Sequence, residues 1–398
     1  MIKISRIPSS IAHFFNQLIK GPRIILNSLT KSEHPLAERI LSDALQLSSL
    51  PSPTEKEVAR STFIVERLAH LGIQGSLDEG GHLVARIPCA EAEGRKPILL
   101  VAALSSEHWH PTASLGRLDK DKAYGSGLAD AIGPATLLAI AEAIKTGSLH
   151  CHRDILLLFT TTPPGKVPED LFNAIIESPE TTPETVFSIR GLSLGGLNTS
   201  YKGTYEIQAR LTLDDSEEAD LKYSAVDAIT QLAQSLSSVQ WDETGTTTSA
   251  VSRIEAGFGF GKHPTEGLAE IEIFSSDPAV LDMAMKAAVA TAEKTASQFK
   301  AKAQVNVVSF IPVGKAEVNQ HLTHLVASSM KELHIKIKEK PAVSAVSYFT
   351  TKGIPALVLG MARGHVGLDL DEIEVESLEL GRKLLFTLIE KLSKEGTM

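Results

Sequence analysis

Two short stretches of the chain are apolar almost throughout and are bounded by polar residues. Residues 98–104 read ILLVAAL, and residues 154–159 read DILLLF. A strand that is covered on both faces carries apolar side chains at every position, whereas a half-exposed strand alternates. Both stretches are therefore predicted to be central strands of a buried sheet.

Apolar residues recur at helical spacing in the segments between the buried stretches. This spacing predicts helices that are listed here by residue number: 34–50, 54–72, 135–144, 318–333 and 375–392. Further short strands are predicted at 81–87, 185–189 and 353–360. Strands that alternate with helices indicate an α/β fold with a mostly parallel sheet and helices on both faces.

The pattern changes between residues 203 and 309. Four segments alternate between apolar and polar residues, at 204–213, 247–256, 268–274 and 303–310, and two segments have helical spacing, at 225–236 and 278–299. This pattern predicts an inserted α+β domain with a four-stranded, one-faced sheet and two helices. We thus expect a basic extension at 1–32, an α/β domain at 33–202 and 310–398, and the inserted domain at 203–309.

A glycine-rich segment lies between the first buried strand and the helix that follows it. Residues 124–134 read YGSGLADAIGP, and Pro134 is suited to the first position of a helix. Ligands of parallel sheets bind at the carboxyl ends of the strands, here residues 103–110, 160–165 and 190–192. Asp130 is therefore a candidate functional acid at this rim.

Composition excludes several classes of protein. The chain is 43% hydrophobic and carries a net charge of −9, without a basic stripe, so nucleic acid is not an expected partner. No apolar run is long enough to span a membrane. Two cysteines, Cys89 and Cys151, make neither a disulfide framework nor a zinc cluster, which favours a reducing, cytoplasmic compartment. Residues 1–32 hold five basic and no acidic residues and are interpreted as a packed or frayed extension, with a targeting or membrane-surface segment as the alternative.

Several motifs carry a resemblance to a known family. They are the turn LPSPTE at 50–55, the glycine-rich segment ending in Asp130, Lys202-Gly203 before an alternating strand, and KGIPALVLG at 352–360. With the order of elements, residues 34–395 resemble the aminoacylase, glutamate carboxypeptidase and peptidase T superfamily of dimetal exopeptidases. The resemblance implies that the inserted domain is a lid and that a homodimer forms through it.

The metal chemistry implied by the resemblance is mostly missing from this chain. In the superfamily two divalent ions, typically zinc, activate a water, and the resemblance places the bridging carboxylate on Asp130. The family's His-x-Asp falls on 103–105, which reads ALS, and its Glu-Glu pair falls on 163–164, which reads PP. The next carboxylate ligand falls on Arg190. One carboxylate cannot hold two ions against hydration and mutual repulsion.

The remaining family positions point the same way. The last metal ligand is matched by His365 about two residues from its expected register, and the substrate-binding Asn and Arg of the lid fall on Gly261 and Phe274. The lid histidine expected near Asp220 is missing. The sequence therefore predicts a catalytically inactive homologue, with no catalytic residues and no metal cofactor, that serves in binding or assembly.

An unpaired carboxylate at the sheet edge is costly unless a cation balances it. We hypothesise that Arg190 or another base neutralises Asp130, directly or through water. The cleft, with Arg190 and Lys166 at its rim, is expected to bind a small carboxylate or a peptide terminus. Asp130 and Arg190 are the predicted ligand-binding residues.

Two alternatives remain open. The first is an active, zinc-dependent metallopeptidase or amidohydrolase acting on peptides or N-acyl amino acids, with a rebuilt site of Asp130, His365, His108 and His110. Histidines at alternating positions of an extended segment can face one ion, although a solvated loop would carry the same residues. The second is a metal-free enzyme of another chemistry.

Overall fold

A computed structural model describes residues 35–50, 52, 57–89, 92, 94–106, 116–161, 167–213, 222–243 and 245–394. The extension at 1–32 lies outside these residues. Within the described part, no helix combines the length and the apolar composition that crossing a membrane requires.

Strands and helices are numbered along the described chain. The strands are β1 (Gly75–Leu77), β2 (Leu83–Ile87), β3 (Ile98–Ala103), β4 (Arg117–Asp119), β5 (Lys122–Gly125), β6 (Ile155–Thr160), β7 (Thr185–Leu192), β8 (Gly196–Tyr201), β9 (Gly203–Leu213), β10 (Thr248–Ala256), β11 (Glu266–Ser275), β12 (Ala301–Ile311), β13 (Lys338–Ala342), β14 (Ala356–Ala362), β15 (Gly364–His365) and β16 (Asp371–Glu374). The helices are α1 (Pro35–Ser48), α2 (Val58–His70), α3 (Leu128–Lys145), α4 (Glu169–Glu177), α5 (Ala225–Ser237), α6 (Pro278–Gln298), α7 (Gln320–Glu332), α8 (Ser347–Thr351) and α9 (Val375–Lys394).

The main sheet has six strands in the order β1-β2-β6-β3-β7-β14. The neighbours among β6, β3, β7 and β14 are parallel, whereas β1 and β2 join antiparallel at one edge. The α/β class and the central position of the two apolar stretches are confirmed. A parallel sheet needs cover on both sides, which explains why these strands are apolar throughout.

Helices cover the two faces of the main sheet. Alternate residues of β3 point to opposite sides: Leu100 belongs to the core beneath α1, α2, α3, α7 and α9, and Leu99 belongs to the core beneath α4 and α8. Both are fully buried. The molecule is therefore layered, with helices on either side of the sheet.

Helix α3 begins earlier than the sequence indicates. It starts at Leu128 after Gly127, whose φ is 62°, and Pro134 lies inside it. The prediction that Pro134 is the first helical residue is wrong. Proline lacks the N–H that would bond the carbonyl of Asp130, but that loss falls near the start of the helix. Burial of Leu128 and Ile132 against the sheet outweighs it.

The second sheet is antiparallel and has the order β10-β11-β9-β12. Its strands bury alternate residues, such as Ile207, Ile271 and Ile273, against α5 and α6, and so form a separate core. The α+β unit of four strands and two helices is confirmed as part of the fold. The exact domain boundaries stay a prediction.

Two small sheets were not predicted from the sequence. Strand β8 pairs with β13, and four short strands form a sheet in the order β15-β16-β5-β4. These strands are short and mostly polar, so they carry no apolar periodicity. The second of these sheets leads directly into α3, because β5 ends three residues before it.

Cys89 and Cys151 form a disulfide in the structure. The expected reducing, cytoplasmic compartment rested on two cysteines without a disulfide framework. Since the cysteines are paired, they no longer support that expectation. The spacing of the two cysteines does not indicate the bond, because 62 positions separate them.

The core of the main sheet provides a test of the fold. Leu157 in β6 is fully buried, whereas Leu77 in β1 is 52% exposed. We expect Leu157→Ala to lower the free energy of unfolding by about 2–5 kcal/mol and Leu77→Ala by about 0.5 kcal/mol or less. Urea denaturation of both variants checks this, and equal effects would contradict the layered core.

Candidate functional site

A cleft of about 840 Å³ lies between the carboxyl ends of the main-sheet strands and the second sheet. Ala103 at the end of β3, Thr160 at the end of β6 and Arg190 in β7 line its floor, together with Asp130 from the first turn of α3. The cleft thus lies at the strand ends where the sequence places a ligand site.

Close packing of α3 against β7 sets the floor of the cleft. A Cβ atom on Gly191 would overlap the carbonyl oxygen of Ala129, and a Cβ atom on Gly133 would lie 2.6 Å from the carbonyl oxygen of Ile189. Neither backbone can move away without opening the sheet core, so glycine is required at both positions. This approach places Arg190 and Asp130 in the same cleft.

Asp130 is half-buried and accepts a hydrogen bond from a neighbouring loop. The Ser106 hydroxyl donates to Oδ2 of Asp130 over 2.8 Å. The backbone N–H of Ser106 donates to the carbonyl oxygen of Ser52 over 2.9 Å, which holds the loop after β3 in place. One oxygen that a bridging ligand would offer to a metal is therefore used within the protein.

A second acid, Asp371, holds the start of α3. It is buried, and its Oδ2 accepts a hydrogen bond of 2.9 Å from the backbone N–H of Ala129. The first N–H groups of a helix lack partners inside the helix. A carboxylate at this end accepts from them and is also stabilised by the positive end of the helix dipole. No sequence pattern indicates this residue, because it is far from α3 along the chain.

A buried base that interacts electrostatically with Asp130 is Arg60, which the sequence patterns did not indicate as a site residue. Arg60 is fully buried, and it donates from Nε to the carbonyl oxygen of Leu47 (3.0 Å) and from Nη1 to that of Leu104 (2.8 Å). Burial lowers the pKa of Arg60 to about 10, against the opposing effect of the negative charges of Asp130 and then Glu57. At neutral pH the guanidinium therefore remains charged beneath the cleft.

A signal for Arg60 is present in the sequence. Arg60, Ile64 and Leu68 recur four residues apart, and all three are buried in α2. A helix buries residues at this spacing on one face, so the spacing places Arg60 in the core. An arginine on the apolar face of a helix needs acceptors and a counter-charge, which Leu104 and Asp130 provide.

Arg190 is exposed and lines the cleft. Its Nη2 donates to the carbonyl oxygen of Val343 over 3.1 Å. The hypothesis that Arg190 or another base neutralises Asp130 stays a prediction, with Arg60 as a second candidate for that base.

His365 lies at the edge of the small sheet that contains β15. Its side chain is 66% exposed, and its Nδ1 lies 3.9 Å from Oε1 of Glu372. A hydrogen bond from Lys122 is the main cause that lowers the pKa of Glu372, so this carboxylate is already engaged. Among the described residues, no three His, Cys, Asp or Glu side chains are grouped as a metal ion would require. The described residues therefore do not fit a dimetal centre.

Several predicted site residues lie outside the described residues, namely His108, His110, Pro163, Pro164, Lys166 and Asp220. Of the two lid positions named above, Phe274 lines the cleft, whereas Gly261 lies in the exposed loop between β10 and β11.

Coupling between Arg60 and Asp130 can be measured with a double-mutant cycle. We expect Arg60→Met to lower the free energy of unfolding by about 2–5 kcal/mol, because it leaves buried carbonyl groups unpaired. The double variant Arg60→Met with Asp130→Asn should lose less free energy of unfolding than the sum of the losses in the two single variants, by about 0.5 kcal/mol or more. Urea denaturation at low ionic strength checks this, with the exposed Asp119→Asn as the control partner. Additivity in the Asp130 cycle would show that the two charges do not interact.

Comparison with known proteins places the fold. The chain matches no protein-family model and no curated protein sequence. Among solved structures, a tripeptidase from Staphylococcus aureus is 19% identical with a TM-score of 0.70, over 90% of this chain and 99% of that one. The YxeP protein of Bacillus subtilis, a dinuclear metal-binding peptidase of the M20 family, is 14% identical with a TM-score of 0.60, over 92% and 100%.

The dipeptidase Dug1p from Saccharomyces cerevisiae is 10% identical with a TM-score of 0.69, over 92% of this chain and 100% of that one. At identities this low, the comparison shows a shared fold and does not show a shared chemistry. The resemblance inferred from the sequence is confirmed at this level: the chain has the fold of the M20 dimetal exopeptidases over nearly its whole length.

Proposed function

We propose that this protein is a catalytically inactive homologue of the dimetal exopeptidases that binds a ligand with a free carboxylate in its cleft. The observation that carries the proposal is the set of side chains at the strand ends. Ala103, Ser105 and Arg190 all line the cleft with Asp130. Where the resemblance leads one to expect metal ligands, the cleft thus presents a methyl group, a hydroxyl and a cation.

The exposed guanidinium of Arg190 supplies the chemistry for binding. A guanidinium presents several N–H donors in a fixed plane and binds carboxylates in a bidentate manner. The bond from Nη2 to the carbonyl oxygen of Val343 fixes the orientation of the group at the cleft floor. A small carboxylate or the carboxyl terminus of a peptide has the matching charge and shape.

Assembly into a homodimer through the second sheet is part of the proposal. Strands β10 and β12 are the two edges of that sheet. Edge strands offer unpaired backbone groups to a second copy of the chain. Val307 in β12 is exposed and would be covered by such a contact.

Metal content tests the absence of dimetal chemistry. After incubation with zinc, cobalt or manganese and removal of excess ion, we expect close to no bound metal per chain, because one carboxylate cannot hold two ions. Elemental analysis measures the ratio. One or two tightly held ions that are lost in Asp130→Ala would contradict the proposal, and a screen of dipeptides and N-acyl amino acids would then follow.

Carboxylate binding tests the role of Arg190. We expect N-acetyl-Ala-Ala to bind the wild-type protein, and its C-terminal amide to bind at least about tenfold more weakly, because charge-assisted hydrogen bonds are lost. Arg190→Met should reduce the affinity for the acid to that for the amide, whereas Arg363→Met changes an exposed arginine away from the described cleft lining and serves as the control. Isothermal titration calorimetry measures this, and equal affinities for acid and amide would refute the assignment.

A further inference from the structure

We propose that the cleft-facing side of the second sheet holds a subsite for an organic cation, formed by Glu206 and Glu272. The ligand class is a primary amine or guanidinium such as a lysine or arginine side chain. The identity of the ligand as a basic peptide rests on the carboxylate site proposed above, whereas the cation subsite can be tested by itself.

Strand alternation directs both glutamates into the cleft. In β9 and β11 the odd-numbered positions, such as Ile207 and Ile273, are buried beneath the helices, and the even-numbered positions form the opposite face. Glu206 and Glu272 both line the cleft, and they are direct partners in the antiparallel pairing of the two strands. Directly opposed partners have Cβ atoms about 5 Å apart, so a single cation between them can reach both carboxylates.

Hydroxyl groups beside the two carboxylates also point to a ligand. Thr204 lines the cleft two positions before Glu206, is only 3% exposed, and its Oγ1 has no hydrogen-bond partner in the part of the chain that the structure describes. Ser309, the β12 partner of Glu206, is 5% exposed and its Oγ likewise makes no hydrogen bond within the described ranges. A buried hydroxyl without a partner is costly, and an ammonium group donates three hydrogen bonds.

The charge on the second-sheet wall of the cleft favours a cation. Among the described residues that line this wall, Glu206 and Glu272 contribute carboxylates in addition to the paired Glu270, and none is cationic. Clefts lined by one sign of charge concentrate ligands of the opposite sign. The ligand that satisfies both walls carries a carboxylate for Arg190 and a basic group for the second sheet.

Glu270 provides a matched control on the same strand. It lines the cleft two residues before Glu272, but it accepts a hydrogen bond of 2.9 Å from Nε2 of Gln208 and lies 3.4 Å from Nη1 of Arg253. Its charge is therefore already balanced within the sheet. By contrast, Glu272 makes no hydrogen bond or ion pair with the residues described by the structure.

The first experiment uses cadaverine, a diamine without a carboxylate, in isothermal titration calorimetry with chelator present. We expect wild-type protein to bind cadaverine, Glu272→Gln to weaken binding about tenfold, and Glu270→Gln to leave it within about twofold. Arg190→Met should not weaken it. Failure of the wild-type protein to bind, or equal affinities for wild type and Glu272→Gln, would overturn the cation subsite.

The second experiment separates this inference from the proposed function. N-acetyl-Ala-Lys-Ala is compared with N-acetyl-Ala-norleucine-Ala, which differs by the charged group. We expect the lysine peptide to bind about tenfold more tightly and the difference to vanish in Glu272→Gln. Equal binding of both peptides would leave the carboxylate site standing and refute the subsite. Binding of cadaverine without binding of either peptide would refute the carboxylate site and leave the cation subsite standing.

Discussion

The close contact between helix α3 and strand β7 determines the shape of the cleft floor. Gly133 and Gly191 allow two backbones to approach within a distance that any Cβ atom would prevent. The helix is buried over most of its length, so its position is fixed by packing against the sheet and against helix α1. Asp371 ties the start of the same helix to the small sheet. Asp130 and Arg190 line the same cleft because this close backbone contact brings the start of α3 to β7.

Two side chains of the protein interact with the carboxylate of Asp130. Arg60 lies in the core with two carbonyl acceptors and interacts electrostatically with Asp130, while Ser106 donates to the same carboxylate. In a dimetal enzyme the cations would be the ions themselves. Here a guanidinium that belongs to the scaffold supplies positive charge near the acid.

Sequence patterns predicted the fold well where a face was either fully buried or alternating. The runs in β3 and β6 and the alternation in β9 and β11 each reflect a simple burial rule. The patterns failed where the local structure depends on contacts between distant parts of the chain. Asp371 caps a helix that begins more than two hundred residues earlier in the chain. Pro134 lies within the same helix, because packing against the sheet lets the helix begin before it. The spacing of Arg60 with Ile64 and Leu68 places it on the buried face of α2. A search for apolar residues at this spacing passes over it because its side chain is charged.

The bond between Cys89 and Cys151 encloses the segment that contains β3, β4, β5 and α3. A link across 62 positions restricts the unfolded chain and, on the loop-entropy model, stabilises the folded state by about 4 kcal/mol. That gain belongs to the oxidised chain alone. The segment that carries Asp130 would therefore be anchored by chain entropy as well as by packing, and the thermodynamic stability of the protein would depend on the thiol content of its surroundings.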